Sequence, residues 1–278
     1  MIYLRIKNLV NMKLKEIKAK SIITKSQLNC DYCVNPYVGC MHGCIYCYAR
    51  FMKRFTGHQE EWGKFVDAKI NAVELVRQSE KYRGKEIFFS SVTDPYQPVE
   101  SKYKLTRKIL EKLVSIQPII AIQSKSDLLV RDIDVFKKFK NIDVGISLST
   151  LDENTQKKIE PLASSPQRRI EALKKLKKAG IHTHVFISPI LPEVTDWKAI
   201  IKVTKEYADE IWFENLNLYP SIKANIYNFL KQVDPKLVDR YKEIYKDDNY
   251  WNKVEQEIKN FCKQEKLVYK VYFHHTKK

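Results

Sequence analysis

The chain has 278 residues, enough for one α/β barrel of roughly 200–250 residues with short additions at its ends. Its 50 Lys and Arg against 33 Asp and Glu give a net charge of +17, which favours anionic partners, nucleic acid foremost, although a Lys-rich, Gly-poor surface also serves thermal stability. Six cysteines, five of them within residues 30–47, argue against a secreted disulfide framework. The early apolar residues, interrupted by Arg5, Lys7, Lys13 and Lys15, lack the h-region of a signal peptide.

Residues 1–30 alternate lysines with Ile, Leu and Val, and fit a leading strand or a leading helix equally. From Tyr32 onward, short apolar runs alternate with helical patterns, the arrangement of βα units around a parallel sheet. A first strand ends near residues 35–36. A helix is expected over 67–80 (Ile70, Val73 and Val76), then a strand over 86–90, a helix around Leu105, Ile109, Leu113 and Val114, and a strand over 118–123. Pro118 breaks the longest apolar run, 113–123, which is too short to span a bilayer, so a soluble cytoplasmic protein with no membrane partner is expected. A helix over 130–139 and a strand over 142–148 follow. The helix over 166–179 carries Ile170, Leu173 and Leu176 as a stripe and is closed by Gly180. A strand over 181–188, a helix over 197–207 and a strand over 210–218 complete six βα repeats. Beyond Pro220 come helices over 222–233, 235–245 and 249–264 and a last strand over 267–273. The expectation is a partial (β/α)6 TIM-like barrel over 31–219, a lead over 1–30 and a mostly helical extension or cap over 220–278. In such barrels the site lies at the C-terminal ends of the strands.

The stretch over residues 35–50 holds Cys40, Cys44 and Cys47 in the spacing C-x3-C-x2-C. Three thiolates on one loop suit three corners of an iron-sulfur cube, whose four irons usually take four cysteines. One iron stays open, as at catalytic and unlike at structural metal sites. This spacing, with Tyr46 before the last cysteine, resembles the radical S-adenosylmethionine (SAM) superfamily. Further motifs resemble its spore photoproduct lyase-like branch, also called DNA repair photolyase-like. They are Asn-Pro-Tyr-Val-Gly-Cys from Asn35, Val-Thr-Asp-Pro-Tyr-Gln-Pro over 92–98, Leu-Thr-Arg over 105–107, Arg131-Asp132, Ser-Leu-Ser-Thr over 147–150, Glu160-Pro161 and Ala179-Gly180-Ile181.

The resemblance implies an enzyme with one 4Fe-4S cluster on Cys40, Cys44 and Cys47. In that family the open iron chelates SAM, and an electron from an external donor of the flavodoxin or ferredoxin type cleaves it to a 5′-deoxyadenosyl radical. The radical abstracts hydrogen from a substrate, here unspecified, with nucleic acid as one candidate and a lyase, DNA-repair-like or modifying outcome. By position, Tyr46 would lie by the adenine, Thr93 would receive the methionyl amino group, Lys125 would pair with the carboxylate, and Ser147 would bond the same ligand. Tyr48 resembles a tyrosine implicated in hydrogen transfer. From the residues alone, Thr93 and Asp94 fit a turn cap equally well, Ser147 fits a satisfied strand end, and Tyr48 fits packing. The lyase carries a hydrogen-donor cysteine shortly before the Asp of the second-strand motif, where this chain has Ser91. A serine O–H is too strong a bond to donate in its place, so thymine-dimer repair by the same route is not implied.

Cys30 and Cys33 form a C-x2-C pair with no role in this scheme. With Cys44 and Cys47 they define an alternative of another class: a zinc-stabilised nucleic-acid-binding module without catalysis. Two partly buried thiols flanking a strand and acting as small hydrophobes is the plainer reading of the pair. His42 is expected to fix the shape of the cysteine loop. His182 and His184 share one strand face with Phe186 and Ser188, facing either the lumen or the helices. Lys102, Lys104, Arg107 and Lys108, and Arg168, Arg169, Lys174, Lys175, Lys177 and Lys178, could track a phosphate backbone or form solvated faces. Residues 57–64 are one residue too long for a P-loop, and Phe65 stands where Ser or Thr must bind magnesium.

Overall fold

The computed structural model describes residues 12–77 and 79–273, so the first eleven residues of the expected lead lie outside the described residues. The chain divides into two compact units, one of residues up to 44 with 49–142, the other of 45–48 with 143 onward.

The first unit holds β1 (Lys13–Ile17), β2 (Ile23–Lys25), β3 (Tyr32–Val34), β4 (Tyr37–Val38), β5 (Phe65–Lys69), β6 (Glu86–Phe89) and β7 (Ile119–Ser124). β3, β6 and β7 pair in parallel, with β2 antiparallel on the outer side of β3. The described part of the lead is thus extended rather than helical, holding β1 and β2: β1 joins a separate three-stranded sheet, parallel to β5, with β4 antiparallel on the other side of β5. The helix expected over 67–80 is not formed among the described residues. Phe65, Val66 and Ala68 are all fully buried and Asp67 is 6 % exposed. A run buried on both faces between two partners is a central strand rather than an amphipathic helix. Ile70, the supposed start of the helical stripe, is 41 % exposed. Two short helices, α1 (Glu100–Tyr103) and α2 (Leu105–Leu113), lie between β6 and β7 in sequence, α2 packs against α3 (Ile133–Phe136), and β8 (Ile142–Ser147) follows. Leu105, Ile109, Leu110 and Leu113 of α2 are buried, each contributing about 1.5–3 kcal/mol of transfer free energy.

In the second unit β8, β9 (His182–Ile190), β10 (Glu210–Asn215) and β11 (Tyr269–Val271) are parallel neighbours in that order. The helices are α4 (Glu153–Ile159), α5 (Pro166–Lys178), α6 (Trp197–Thr204), α7 (Pro220–Val233), α8 (Lys236–Ile244) and α9 (Tyr250–Gln264). Local chemistry sets their ends. Asp152 and Asp196 accept hydrogen bonds from Thr155 N and Ala199 N as N-caps of α4 and α6, and Pro166 occupies the first turn of α5. Gly180 closes α5 with φ +78°, and Ile181 N returns to Leu176 O at 3.2 Å, the six-to-one bond of a left-handed helix stop.

The strands of this unit present two different faces. Val144, Ile146, Val185, Ile187, Ile211 and Phe213 are 0–2 % exposed, and α5 and α6 pack against β9. The alternate positions are polar or aromatic: Asp143, His182, His184, Phe186, Ser188, Glu210, Trp212 and Glu214. His182 and His184 therefore lie on the face opposite the buried aliphatic one, but not as open ligands. His184 is 1 % exposed, stacks on Trp212 at 3.6 Å and holds Asp143 Oδ1 through Nδ1 at 2.8 Å. Lys270 covers Trp212 at 4.5 Å, and Glu210 accepts from both Trp212 Nε1 and Lys270. This closed network lies at the N-terminal ends of β8 and β10, away from the strand ends where the site is expected.

Candidate functional site

In the first unit the loop that carries Cys40 and Cys44 is bound to the segment following β6. Both thiols are buried, at 7 % and 8 % exposure. Gly39 lies at φ +82°, and a Cβ there would meet Phe65 O at 2.5 Å. Gly43 lies at φ +62°, and a Cβ on Gly63 would come within 2.7 Å of its Cα. The loop thus needs glycine both for its left-handed turns and for two close backbone approaches.

Three side chains brace it. Thr93 Oγ1 donates to Gly39 O at 2.6 Å. Gln97, fully buried, donates through Nε2 to Gly39 O at 3.2 Å and Thr93 Oγ1 at 2.9 Å, and accepts from Met41 N at 2.8 Å. Asp94 is the hub: its carboxylate accepts from Tyr96 N, Ser124 Oγ and Lys125 N, each at 2.8 Å, and faces His42 Nδ1 at 3.3 Å. Burial pushes the Asp94 carboxyl up, but the charge and hydrogen bond of His42, with those of Lys125 N and Ser124, overcome it and leave a pKa of about 2. Asp94 therefore ties the cysteine loop to the C-terminal end of β7, where it positions the backbone of Lys125. Thr93 keeps one acceptor lone pair beyond these bonds.

The second unit gathers Tyr46, Ser147, Ser149, Glu160 and Arg169. Glu160 and Arg169 are 0 % and 1 % exposed and form an ion pair, while Arg169 also donates to Ser147 O at 2.9 Å and Ser164 O at 2.7 Å. The Tyr46 hydroxyl donates to Glu160 Oε1 and lies 3.4 Å from Ser149 Oγ, and its ring packs against the core of Ile159, Leu191 and Leu216. Tyr46 is therefore fixed at both ends, a ring on apolar side chains and a hydroxyl on a buried carboxylate. Cys47 is half-buried, and Tyr48 is 49 % exposed at the start of a 3-10 helix, Tyr48–Phe55.

Sequence reasoning missed Gln97 and the hub role of Asp94. It also placed Arg169 on a solvated or phosphate-tracking face, which the buried ion pair corrects. The available signal was spacing, since Arg169 stands four and seven residues before Leu173 and Leu176, on the apolar stripe. Arg107 is likewise engaged, with Asp132, Asp134 and Glu111.

Cys30 and Cys33 lie with Sγ atoms 3.9 Å apart, both hydrogen-bonded to Ser26 Oγ. Burial, opposed by the Ser26 bond and joined by Cys33, raises the Cys30 thiol to about 11. Ser26 and Cys30 precede β3, and Asp31 binds Glu86 N at the start of β6. The Cys40–Cys44 loop is instead bound beyond the far end of β6. The pair is held by Ser26 at the other end of the β3–β6 segment from the Cys40–Cys44 loop, and among the described residues no three His, Cys, Asp or Glu converge on a single ion. A cubane makes no such demand, because each thiolate meets a different iron.

A fit to the cluster is supported by His42. Standing between Cys40 and Cys44, it is 2 % exposed, and its Nε2 is buried without a hydrogen-bond partner among the described residues. A buried ring nitrogen with a free hydrogen-bonding position, on the loop that carries the thiols, is compatible with an anionic sulfur-bearing group held there.

The model of the Radical SAM superfamily matches residues 34–202. An uncharacterised protein of Methanocaldococcus jannaschii is 38 % identical over 256 residues, 92 % of this chain and 95 % of that protein. This chain belongs to the radical SAM superfamily. The superfamily's α/β fold is also seen in the likeness to spore photoproduct lyase complexed with dinucleoside spore photoproduct, with a TM-score of 0.69 at 15 % identity over 94 % of this chain and 82 % of that one. A radical SAM Nα-GlyT isomerase of Pseudomonas phage M6 is 29 % identical over 162 residues, 57 % of this chain and 33 % of the isomerase. Radical SAM enzymes are catalytic, use SAM and depend on an external electron donor. Among the described residues no helix is long and apolar enough to cross a membrane.

Proposed function

We propose that this radical SAM protein binds a 4Fe-4S cluster through Cys40, Cys44 and Cys47, cleaves SAM reductively and abstracts hydrogen from a nucleic-acid base or a related substrate. The observation that carries the reading is the braced loop: two buried thiols, a histidine with one orphaned nitrogen, and three side chains, Thr93, Asp94 and Gln97, bonded to it. Such a cluster supplies one electron to SAM, and with it the radical chemistry of the superfamily.

The chain's own residues then bind and orient. Thr93 offers its remaining lone pair to the methionyl ammonium. Lys125, its backbone held by Asp94, presents a flexible cation to the carboxylate. Tyr46, pinned by Glu160, gives the adenine a fixed apolar surface, and Ser147 stands where Arg169 immobilises its backbone. Tyr48 is assigned to hydrogen transfer by position alone. The charge of +17 and the dinucleoside carried by the lyase make nucleic acid the substrate to test first, and a base must leave its stack to be reached. Ser91, accepting from Asn35 Nδ2 at 3.0 Å, supplies no thiol, which speaks against the lyase's thiol-dependent repair route.

Anaerobically purified protein should be brown, with iron and sulfide in equal amounts, and should release 5′-deoxyadenosine from SAM once reduced. Cys44→Ala should lose colour, iron and cleavage together; retention of all three refutes the assignment. Stimulation of SAM cleavage by DNA or RNA supports the substrate class, and indifference rejects it.

A further inference from the structure

The 3-10 helix Tyr48–Phe55 exposes apolar surface that the fold itself does not use. Phe55 is 66 % and Phe51 42 % exposed, and the Arg54 guanidinium lies over both rings, 4.6 Å and 5.6 Å from their centroids. Arg50, Lys53 and Arg54 fall within this one helix, which contains no acidic residue. Arg50 Nη2 donates to the carbonyl of Cys44 at 3.3 Å, so a single side chain joins the patch to the backbone of a proposed cluster ligand.

We propose that this patch docks an acidic one-electron carrier protein of the ferredoxin class, an inference that rests on reading Cys40, Cys44 and Cys47 as cluster ligands. Cations interspersed with exposed aromatic area suit a transient interface with an acidic protein, where charge steers the encounter and apolar contact holds it. A single-stranded nucleic acid instead asks for open ring faces on which bases stack, and Arg54 covers one face of each ring. In the docked complex one electron leaves the reduced ferredoxin centre, which is oxidised, and enters the oxidised cluster of this chain, which is reduced. No bond or proton moves in that step.

The test uses the intact anaerobic protein with its cluster, a reduced acidic 2[4Fe-4S] ferredoxin as probe, dithionite as the control reductant, and rapid-freeze EPR to follow reduction. Arg54→Glu and Phe55→Ser should each slow ferredoxin-driven reduction by about tenfold, given that steering charges set association rates. Dithionite-driven reduction, iron content and melting temperature should stay at wild-type values, and the wild-type ferredoxin rate should fall as salt rises. Unchanged ferredoxin rates in both variants overturn the proposal. So does loss of affinity for oligo(dT) with the ferredoxin rate intact, which makes the patch a nucleic-acid surface. A native protein without iron refutes the cluster reading and this one with it, whereas a dithionite-reducible cluster with insensitive ferredoxin rates refutes the docking alone.

Discussion

Replacing Asp94 with Asn tests whether one carboxylate holds the cysteine loop. The side chain is 7 % exposed and accepts two backbone N–H groups, of Tyr96 and Lys125, on different oxygens. Asn has one acceptor oxygen, so in either orientation its NH2 group faces one of those buried donors. An unsatisfied buried N–H, together with the loss of charge-assisted strength, costs about 2–4 kcal/mol. For a chain of this size that lowers the melting temperature by roughly 5–15 °C. The assay is urea and thermal unfolding of the metal-free protein, followed by iron content after reconstitution, which should fall because His42 and the Lys125 backbone lose their anchor. Asp152→Asn is the control: at an exposed N-cap Asn serves as well as Asp, and the midpoint should move by less than about 0.5 kcal/mol. The pH dependence has a definite sign. A carboxyl held at about 2 rather than 3.8 adds stability above the unfolded value, about 2 kcal/mol, which is lost as pH falls from 3.8 through 2. The difference between wild type and Asp94→Asn should therefore shrink in that window. A midpoint within 0.5 kcal/mol of wild type at pH 7 refutes the hub, on a scale where surface substitutions move stability by about that much.

Gly63→Ala places a methyl 2.7 Å from Gly43 Cα at φ +94°; strain and the displaced loop should cost about 1–3 kcal/mol and lower the iron content, and an unchanged melt with full iron loading rejects the close approach as a constraint. Glu160→Gln leaves Arg169 as a buried unpaired charge and should cost about 3–5 kcal/mol in unfolding free energy, with a raised KM for SAM if Tyr46 loses its orientation; a cost below 1 kcal/mol argues against the pair as a brace. In Asp143, burial raises the carboxyl but the hydrogen bonds and charges of His184 and His182 outweigh it and hold it below the usual range. Its stabilising effect is present above the ordinary carboxylate pKa and fades as pH falls through the lower folded value. Asp143→Asn should flatten that part of the acid limb in chemical denaturation series, and parallel curves would contradict it.

The legible parts of the sequence were those in which one short segment carries its whole signal. The strands that became β6, β8 and β9 were readable because each apolar run is bounded by turns or helices with clear ends, as at Gly180. The superfamily, whose model matches residues 34–202, was readable from the cysteine spacing. β5 was not, because its strand character comes from having β1 and β4 on either side, and β1 is a lysine-rich run with exposed residues. Gln97 was invisible for a similar reason. A glutamine between two prolines suggests a turn, and only a contact 56 residues away, to Met41 N, gives it a task. Thr93 and Lys125 were placed by resemblance, but what holds them, an Asp followed by Pro-Tyr, reads in one dimension as an ordinary turn cap.

The motifs that mark the family in this chain divide physically into two sets. Glu100, fully buried, has its carboxyl raised by burial against the pull of its bonds from Tyr37, Arg131 and Thr106 N. Arg131 spans Glu100 and Asp132, and Arg107 joins Asp132 to Asp134. The Leu-Thr-Arg and Arg-Asp motifs, and the Tyr37 of the first, thus join an ion-pair scaffold around the buried carboxylates Glu100 and Asp132, to which α1 contributes Glu100 and α2 Arg107. Removing one partner there strands a charge, so the set is bound to itself whatever the substrate. The second set, Asp94, Gln97 and Glu160, braces residues proposed to face SAM: Gln97 holds Thr93, Asp94 holds the backbone of Lys125, and Glu160 holds Tyr46. Ser91, where the lyase has its hydrogen-donor cysteine, belongs to neither set. On the roles proposed above, the side chains that hold SAM are thus distinct from the position at which this chain departs from the lyase, so radical generation can be kept while the target changes.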